Sequence, residues 1–138
     1  MKISARVDNS EGKHHVTLTT NDNSHSISIP SKSSGLGSSA NGGELLFLAL
    51  ATCYCNDLYR EAAKQNIQVE KVEVEVSGDF GAEGEGATNV TYKAKVHAKG
   101  TEEEIRALME HTDTVAEIQN TLRIGSTVTL KSIEIVNT

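Results

Sequence analysis

The sequence predicts an α+β protein with the element order βββ-α-ββ-α-α-β. Short segments before Pro30 alternate apolar and polar side chains, which is typical of half-buried strands. The segment 41–65, whose first half is strongly apolar, has the length and composition of a long central helix. Strands and helices come in runs and not as repeated βα units, which favours antiparallel sheets over a parallel one.

The predicted N-terminal sheet is an antiparallel meander whose strands cover residues 2–8, 14–20 and 26–29. Polar turns join these strands, and Pro30 ends the third. The next segment, 31–43, reads SKSSGLGSSANGG. Its composition is typical of a flexible linker, but its place between a strand and a helix is typical of a binding loop. Both interpretations stay open.

The central helix is predicted to begin after Asn41, which forms a capping-box pattern with Glu44. At about 100° per residue, the apolar side chains of residues 45–51 spread around the whole helix. This pattern predicts a long buried helix packed between antiparallel sheets. From Asn56 onward the helix is amphipathic. Because one chain offers little surface to cover such a helix, we expect a homodimer.

A hairpin is predicted next from strands at 69–79 and 89–99, with a phase slip near Glu70. Thr101 and Glu104 form a second capping box and begin a second helix. We expect a break near residues 111–113, then a short helix that ends at Gly125, then a last strand over 127–136. The whole chain, 1–138, is predicted to be a single domain.

Composition and charge exclude several functions. The net charge of −6 argues against binding nucleic acid or anionic membranes, since both need clustered Lys and Arg. No apolar run is long enough for a membrane span, and no apolar leader follows Met1. The five histidines lack metal-ligand spacing, so we expect neither a metal nor a cofactor. These features favour a cytoplasmic protein with reduced thiols.

The two cysteines, Cys53 and Cys55, lie about 200° apart on the predicted helix and cannot form a disulfide with each other there. Cys55 falls on the apolar side, as a small core residue does. Cys53 falls on the side that becomes polar. A guanidinium at Arg60 would favour its thiolate, and the closer Asp57 would oppose it. For Cys53, a reactive role and a core role both stay open.

Several segments together resemble the OsmC/Ohr family of osmotically inducible and organic-hydroperoxide-resistance proteins. They are the Ser/Gly-rich segment, the helix ELLFLALATC with its charged end, the valine-rich strand and a later NTLR-x-G. The resemblance implies an intertwined homodimer with N-terminal strands contributed across it. It also implies thiol peroxidase chemistry, in which a cysteine of the central helix reduces an organic hydroperoxide and a second cysteine resolves it.

The resemblance places the reactive cysteine at Cys53. It suggests Glu44 as the assisting glutamate, one residue out of place and with capping as its other role. The assisting arginine is Arg6, although Lys13 lies nearer the expected position. The resolving cysteine falls at Ala116, and no cysteine lies in that region. An external thiol or a partner-chain cysteine would therefore have to reduce an oxidised Cys53.

Three hypotheses follow. The protein is a one-cysteine peroxidase acting on an organic hydroperoxide, or a non-catalytic dimer that binds a small hydrophobic or thiol-reactive ligand at its interface, or a structural dimer without a ligand.

Overall fold

The computed structural model describes all 138 residues. Its elements, in chain order, are β1 (Ile3–Ser10), β2 (Lys13–Thr20), β3 (Asn23–Ile27), α1 (Gly42–Lys64), β4 (Val69–Phe80), β5 (Ala87–Ala98), α2 (Glu102–Val115) and α3 (Glu117–Ile124). The α+β class is confirmed. Residue contacts divide the chain into two compact units, 1–46 and 47–138, and α1 begins in the first and ends in the second. A single domain over 1–138 stays a prediction.

The first unit contains the predicted meander, in the order β1-β2-β3. The antiparallel pairs run from Ile3 opposite Thr20 to Ser10 opposite Lys13, and β3 continues the sheet on the other side of β2. Asn21, in the turn between β2 and β3, has a φ of 53°, a left-handed conformation that asparagine tolerates. Alternation in the sequence therefore predicted the meander and its first two strands. The predicted third strand, 26–29, is wrong in its bounds, because a two-residue turn lets β3 begin opposite Thr20 and it ends before Pro30.

The Ser/Gly-rich segment is held by hydrogen bonds within the first unit. The side-chain amide of Asn9 makes two hydrogen bonds to the backbone of Gly37. It accepts from the Gly37 N–H at 3.0 Å and donates to the Gly37 carbonyl at 3.1 Å. The backbone N–H of Ser39 donates to the carbonyl of Pro30 at 2.9 Å. Gly37 has a φ of 100°, which favours glycine at that position. A segment fixed in this way is a structured loop and not a flexible linker.

The helix α1 begins with the predicted capping box. The N–H of Glu44 donates to the Asn41 side chain at 2.8 Å, and the Glu44 carboxylate accepts from the Asn41 N–H at 2.9 Å. Burial along α1 differs from the prediction. Leu48 is 58% exposed, whereas Asp57 and Glu61 on the predicted polar side are buried. The reason is that the single chain covers one side of the apolar half, and that both carboxylates have partners to offset the cost of burial.

The second unit is built on the hairpin of β4 and β5. The predicted phase slip is confirmed as a register shift between Val69 and Lys71. A second register shift occurs at Gly78. A Cβ added to this residue would lie 2.8 Å from the ring of Phe47. The core of this unit is a cluster contributed by α1 and α2: Tyr54, Leu58, Ala62 and Leu108. The apolar face of the hairpin packs against it.

The helix α2 begins with the predicted capping box of Thr101 and Glu104. The predicted break near residues 111–113 is wrong, since α2 continues to Val115 and the chain turns at Ala116. Thr112 is fully buried and donates to the carbonyl of Leu108 at 2.8 Å, so its side chain is satisfied inside the helix. Gly125 ends α3 as predicted, with a φ of 82°.

The predicted last strand, 127–136, is not formed. These residues carry no secondary structure and are all exposed, because their backbone finds no neighbouring strand in this chain. Their apolar side chains are among the most exposed in the protein, with Val128 at 95% and Val136 at 88%. None of the three helices is long and apolar enough to cross a membrane.

Leu58 tests the importance of the second unit's core. It is fully buried, so Leu58→Ala leaves a cavity and should lower the free energy of unfolding by about 2–5 kcal/mol. Urea unfolding followed by circular dichroism measures the change. The control is Leu36→Ala. Because Leu36 is 64% exposed, this substitution should lower the free energy of unfolding by less than about 0.5 kcal/mol. Equal losses in the two variants would contradict this assignment of the core.

Candidate functional site

The candidate site is the surroundings of Cys53 in the second unit. Its Sγ donates a hydrogen bond to Oδ2 of Asp57 at 3.3 Å, and Oε2 of Glu117 lies 3.8 Å away. Asp57 follows Cys53 by one turn of α1, so the two side chains share a face of the helix. The thiol is half-buried. It combines partial access to solvent with a direct proton acceptor.

The N-terminus of α3 forms the other side of this site. Glu117 is the first residue of α3, and the backbone N–H of the next residue, Ile118, lowers the pKa of the Cys53 thiol. Gln119 holds α3 against α1 by donating to the carbonyl of Leu50 at 3.0 Å. A helix N-terminus stabilises negative charge, so the start of α3 favours the thiolate form of Cys53.

Arg60 connects the two carboxylates beside the thiol. Its Nη1 lies 3.1 Å from Oδ1 of Asp57 and 2.9 Å from Oε1 of Glu117. Its Nε donates to Glu61 at 2.9 Å. Arg60 therefore binds carboxylates and not the sulfur. Of the two opposing effects predicted for the Cys53 thiolate, the destabilising effect of Asp57 therefore outweighs the stabilising effect of Arg60.

Glu61 is buried next to this site and is held by two cations and a histidine. Lys64 lies 2.8 Å away, Arg60 2.9 Å, and Nε2 of His111 is 2.9 Å from its other oxygen. Hydrogen bonds from Lys64, Arg60 and His111 lower the pKa of Glu61 to about 2. Glu61 therefore stays ionised through the neutral range and fixes the position of Arg60.

The surroundings of Cys53 favour its neutral thiol over its thiolate. Burial, followed by the hydrogen bond and charge of Asp57 and by the charge of Glu117, raises the pKa of Cys53, and the Ile118 N–H only partly opposes this. Burial also raises the pKa of Asp57, whereas the neighbouring Asp57 and Arg60 lower the pKa of Glu117. Asp57 is therefore the stronger proton acceptor of the two carboxylates, and it is the one that contacts the thiol.

The same three side chains have the donor types of a metal site. The sulfur of Cys53 and one oxygen each of Asp57 and Glu117 lie within 4.8 Å of one another. Thiolate and carboxylate ligands suit Zn²⁺. However, Arg60 already pairs with both carboxylates, and a metal ion would have to displace it. We assign no metal to this cluster.

Cys55 lies in different surroundings from Cys53, as the helical geometry predicts. It lines a small cavity next to Val72 and Val74 of β4. Both cysteines are free thiols. Cys55 is thus placed against the apolar face of the hairpin.

The other predicted site residues belong to the first unit. Glu44 caps α1 through Asn41, and Arg6 is an exposed residue of β1 whose guanidinium lies 3.7 Å from Asp8. Lys13 is exposed at the start of β2. Cys53 belongs to the second unit, so the assisting roles of Glu44 and Arg6 stay predictions.

Sequence reasoning missed the part that Glu117 has in the site. Ala116, where the family resemblance would place a resolving cysteine, is fully buried, and Glu117 contacts Cys53 instead. The family resemblance places this stretch where a second thiol would have to meet Cys53. It could therefore have identified Glu117, because a residue following the resolving position must also lie near the reactive thiol.

Three solved structures resemble this fold. An OsmC-like protein from Mycoplasma pneumoniae has a TM-score of 0.60 at 17% identity, covering 87% of each chain. An OsmC-like protein of unknown function from Vibrio cholerae has a TM-score of 0.58 at 17% identity, covering 88% of this chain and 93% of that one. An OsmC-like hydroperoxide resistance protein from Jannaschia sp. has a TM-score of 0.55 at 16% identity, covering 99% and 92%.

No curated protein matches the chain. The profile of the OsmC-like protein family matches residues 35–131, which include α1 with Cys53, the hairpin, α2 and α3. This match covers well over half of the 138 residues. The chain belongs to the OsmC-like protein family.

Proposed function

We propose that this protein reduces organic hydroperoxides through Cys53 and depends on an external thiol to regenerate it. The observation that carries the proposal is the half-exposed Cys53 thiol, hydrogen-bonded at 3.3 Å to a carboxylate of raised pKa. A structural neighbour from Jannaschia sp. is described as a hydroperoxide resistance protein, which supports this choice of reaction.

In the first step, Cys53 sulfur attacks the terminal oxygen of the hydroperoxide. A sulfur–oxygen bond forms, the oxygen–oxygen bond breaks, and an alkoxide leaves. Sulfur is oxidised by two electrons and the peroxide is reduced by two. Asp57 takes the thiol proton and returns it to the alkoxide, so the products are the Cys53 sulfenic acid and an alcohol. Such general acid–base catalysis needs an acceptor in hydrogen-bond contact with the reacting group.

In the second step, an external thiol attacks the sulfenic acid. The products are a mixed disulfide on Cys53 and water. A second external thiol then releases Cys53 as a thiol and leaves as the external disulfide. Cys55 of the same chain cannot act as the resolving thiol, since it lies against β4 on another side of α1. Small thiols are kept reduced in the cytoplasm, where we place the protein in this proposal.

Other residues act on the thiol in this proposal. The N–H of Ile118 stabilises negative charge on the Cys53 sulfur during attack. Arg60 holds Asp57 in place through its contact of 3.1 Å and so acts as a positioning residue. The family resemblance adds Glu44 and Arg6 as the carboxylate and the arginine that assist the thiol.

The first prediction concerns which thiol is oxidised. Reduced protein is mixed with cumene hydroperoxide and dimedone, and sulfenic acid is located by peptide mass spectrometry. We expect rapid labelling at Cys53 that is lost in Cys53→Ser and kept in Cys55→Ser. Labelling no faster than that of free cysteine would remove the peroxidase proposal and favour a non-catalytic protein that binds a small hydrophobic or thiol-reactive ligand.

The second prediction separates the effect of Asp57 on the pKa of Cys53 from its role as proton acceptor. In a Cys55→Ser background, Asp57→Asn should lower the pKa of Cys53, because it removes a carboxylate that raises it. The pH profile of alkylation by iodoacetamide should therefore shift to lower pH. Peroxide reduction should instead slow roughly a hundredfold, because the proton acceptor is lost. Stopped-flow and mass-spectrometric rates measure the two effects.

The matched control for this pair of measurements is Asp79→Asn, the same chemical change at an exposed position of β4. It should alter neither rate. If Asp57→Asn accelerated alkylation and peroxide reduction together, Asp57 would act only on the thiol pKa and would not transfer a proton.

We also propose that the protein is a homodimer in which residues 126–138 pair with the second copy. Leu130, Ile133 and Ile135 are 73–81% exposed in the single chain, and a hydrophobic segment of this kind is normally covered. Each sheet also has open edges that accept a further strand. A second copy supplies both an edge and a surface.

The third prediction concerns this dimer. Size-exclusion chromatography with light scattering should give twice the 14.8 kDa mass of one chain. Leu130→Lys should weaken the dimer, because it puts a charge on an apolar contact. Thr129→Lys, the same charge on the neighbouring residue, is the control, since alternate strand residues face opposite sides. A wild-type protein that is monomeric at micromolar concentration would refute the dimer.

A further inference from the structure

The second unit contains a cavity of about 890 Å³ between β5, α2 and Tyr54 of α1. Its volume lies in the range of small-molecule sites. Its apolar walls come from residues of both elements, among them Val96, Ile105 and Met109. Neither Cys53 nor the carboxylates that contact it line this cavity, so it is separate from the thiol site.

Two tyrosines, Tyr54 and Tyr92, lie side by side in the wall of the cavity. The rings of Tyr54 and Tyr92 meet edge to face with centroids 5.1 Å apart. The hydroxyl of Tyr54 donates to the carbonyl of Met109 at 2.9 Å, and that of Tyr92 donates to the Asp113 carboxylate. Tyr54 is only 3% exposed and belongs to the core, whereas Tyr92 is half-buried. Tyr92 is therefore the residue that offers a ligand its ring carbons, since its hydroxyl is engaged by Asp113. Ring faces attract cations.

The charges around the cavity leave one carboxylate without a partner. Arg106 lies 3.1 Å from Glu102, and Asp113 lies 2.7 Å from Arg123. Glu110, the remaining charged residue of the lining, has no ion pair or side-chain hydrogen bond. The net charge of −6 on the whole chain also attracts cations over a longer range.

We infer that this cavity binds a small organic cation, an ammonium group carried on an apolar body. The ammonium lies against the ring of Tyr92 with Glu110 as its counter-charge, and the apolar body contacts Val96, Ile105 and Met109. Charge complementarity selects this class of ligand over anions, because the cavity's arginine is already paired. The inference is independent of the peroxidase proposal, since the two sites share no side chain.

Benzyltrimethylammonium is the probe, and benzyl alcohol is the neutral comparison with the same ring. Each is titrated into full-length protein and followed by amide chemical shifts. The cation should shift residues of β5 and α2 and should bind roughly tenfold more tightly than the alcohol, as expected for a cation–π contact supported by one carboxylate.

Glu110→Gln should weaken binding of the cation by roughly tenfold and leave binding of benzyl alcohol unchanged. Glu103→Gln is the matched control, because Glu103 is an exposed residue of α2 outside the cavity lining, and it should change neither affinity. Chemical shifts of the free variants report whether both remain folded.

Several outcomes would overturn the inference. They are equal affinity for the cation and the alcohol, equal losses in the two glutamate variants, or shifts that map to residues around Cys53 and not to the cavity. Absence of any shift at millimolar probe would also overturn it and would indicate that the cavity is filled, for instance by a second copy of the chain.

Discussion

The burial of two carboxylates on one helix is the constraint on which the rest of the second unit depends. Asp57 and Glu61 are 7% and 4% exposed, and an isolated charge so placed would be very costly. Their partners come from α1 and α2, and one of these partners also contacts α3. Arg60 and Lys64 belong to α1, His111 to α2, and the contact of Arg60 with Glu117 reaches α3. Satisfying these two charges therefore ties α2 and α3 to the central helix.

The same constraint shapes the thiol chemistry. A reactive cysteine is commonly activated by a nearby cation, which lowers its pKa. Here the cation, Arg60, is occupied by carboxylates, and Cys53 meets Asp57 directly. The thiol is therefore neutral at rest and would have to lose its proton as it reacts. Its carboxylate partner is suited to accept that proton, since burial has raised its pKa.

Three successive residues of α1 illustrate how one helix serves several environments. Cys53 meets carboxylates and the start of α3, Tyr54 meets Tyr92 at the cavity beside α2, and Cys55 meets the valines of β4. A turn of about 100° per residue is enough to separate them. The thiol site and the cavity can therefore differ in charge and polarity although their residues are adjacent in the chain.

The sequence by itself determined the α+β class, the capping boxes at Asn41 and Thr101, the register shift at Val69 and the separation of the two cysteines. All are local, because they depend on residues within one turn or one strand. Tertiary structure alone decided that Asp57 and Glu61 are buried, that Glu117 contacts Cys53, and that residues 127–136 form no strand in the single chain. These outcomes depend on partners distant in sequence, and neither periodicity nor composition specifies which partner a buried charge or an unpaired backbone will find.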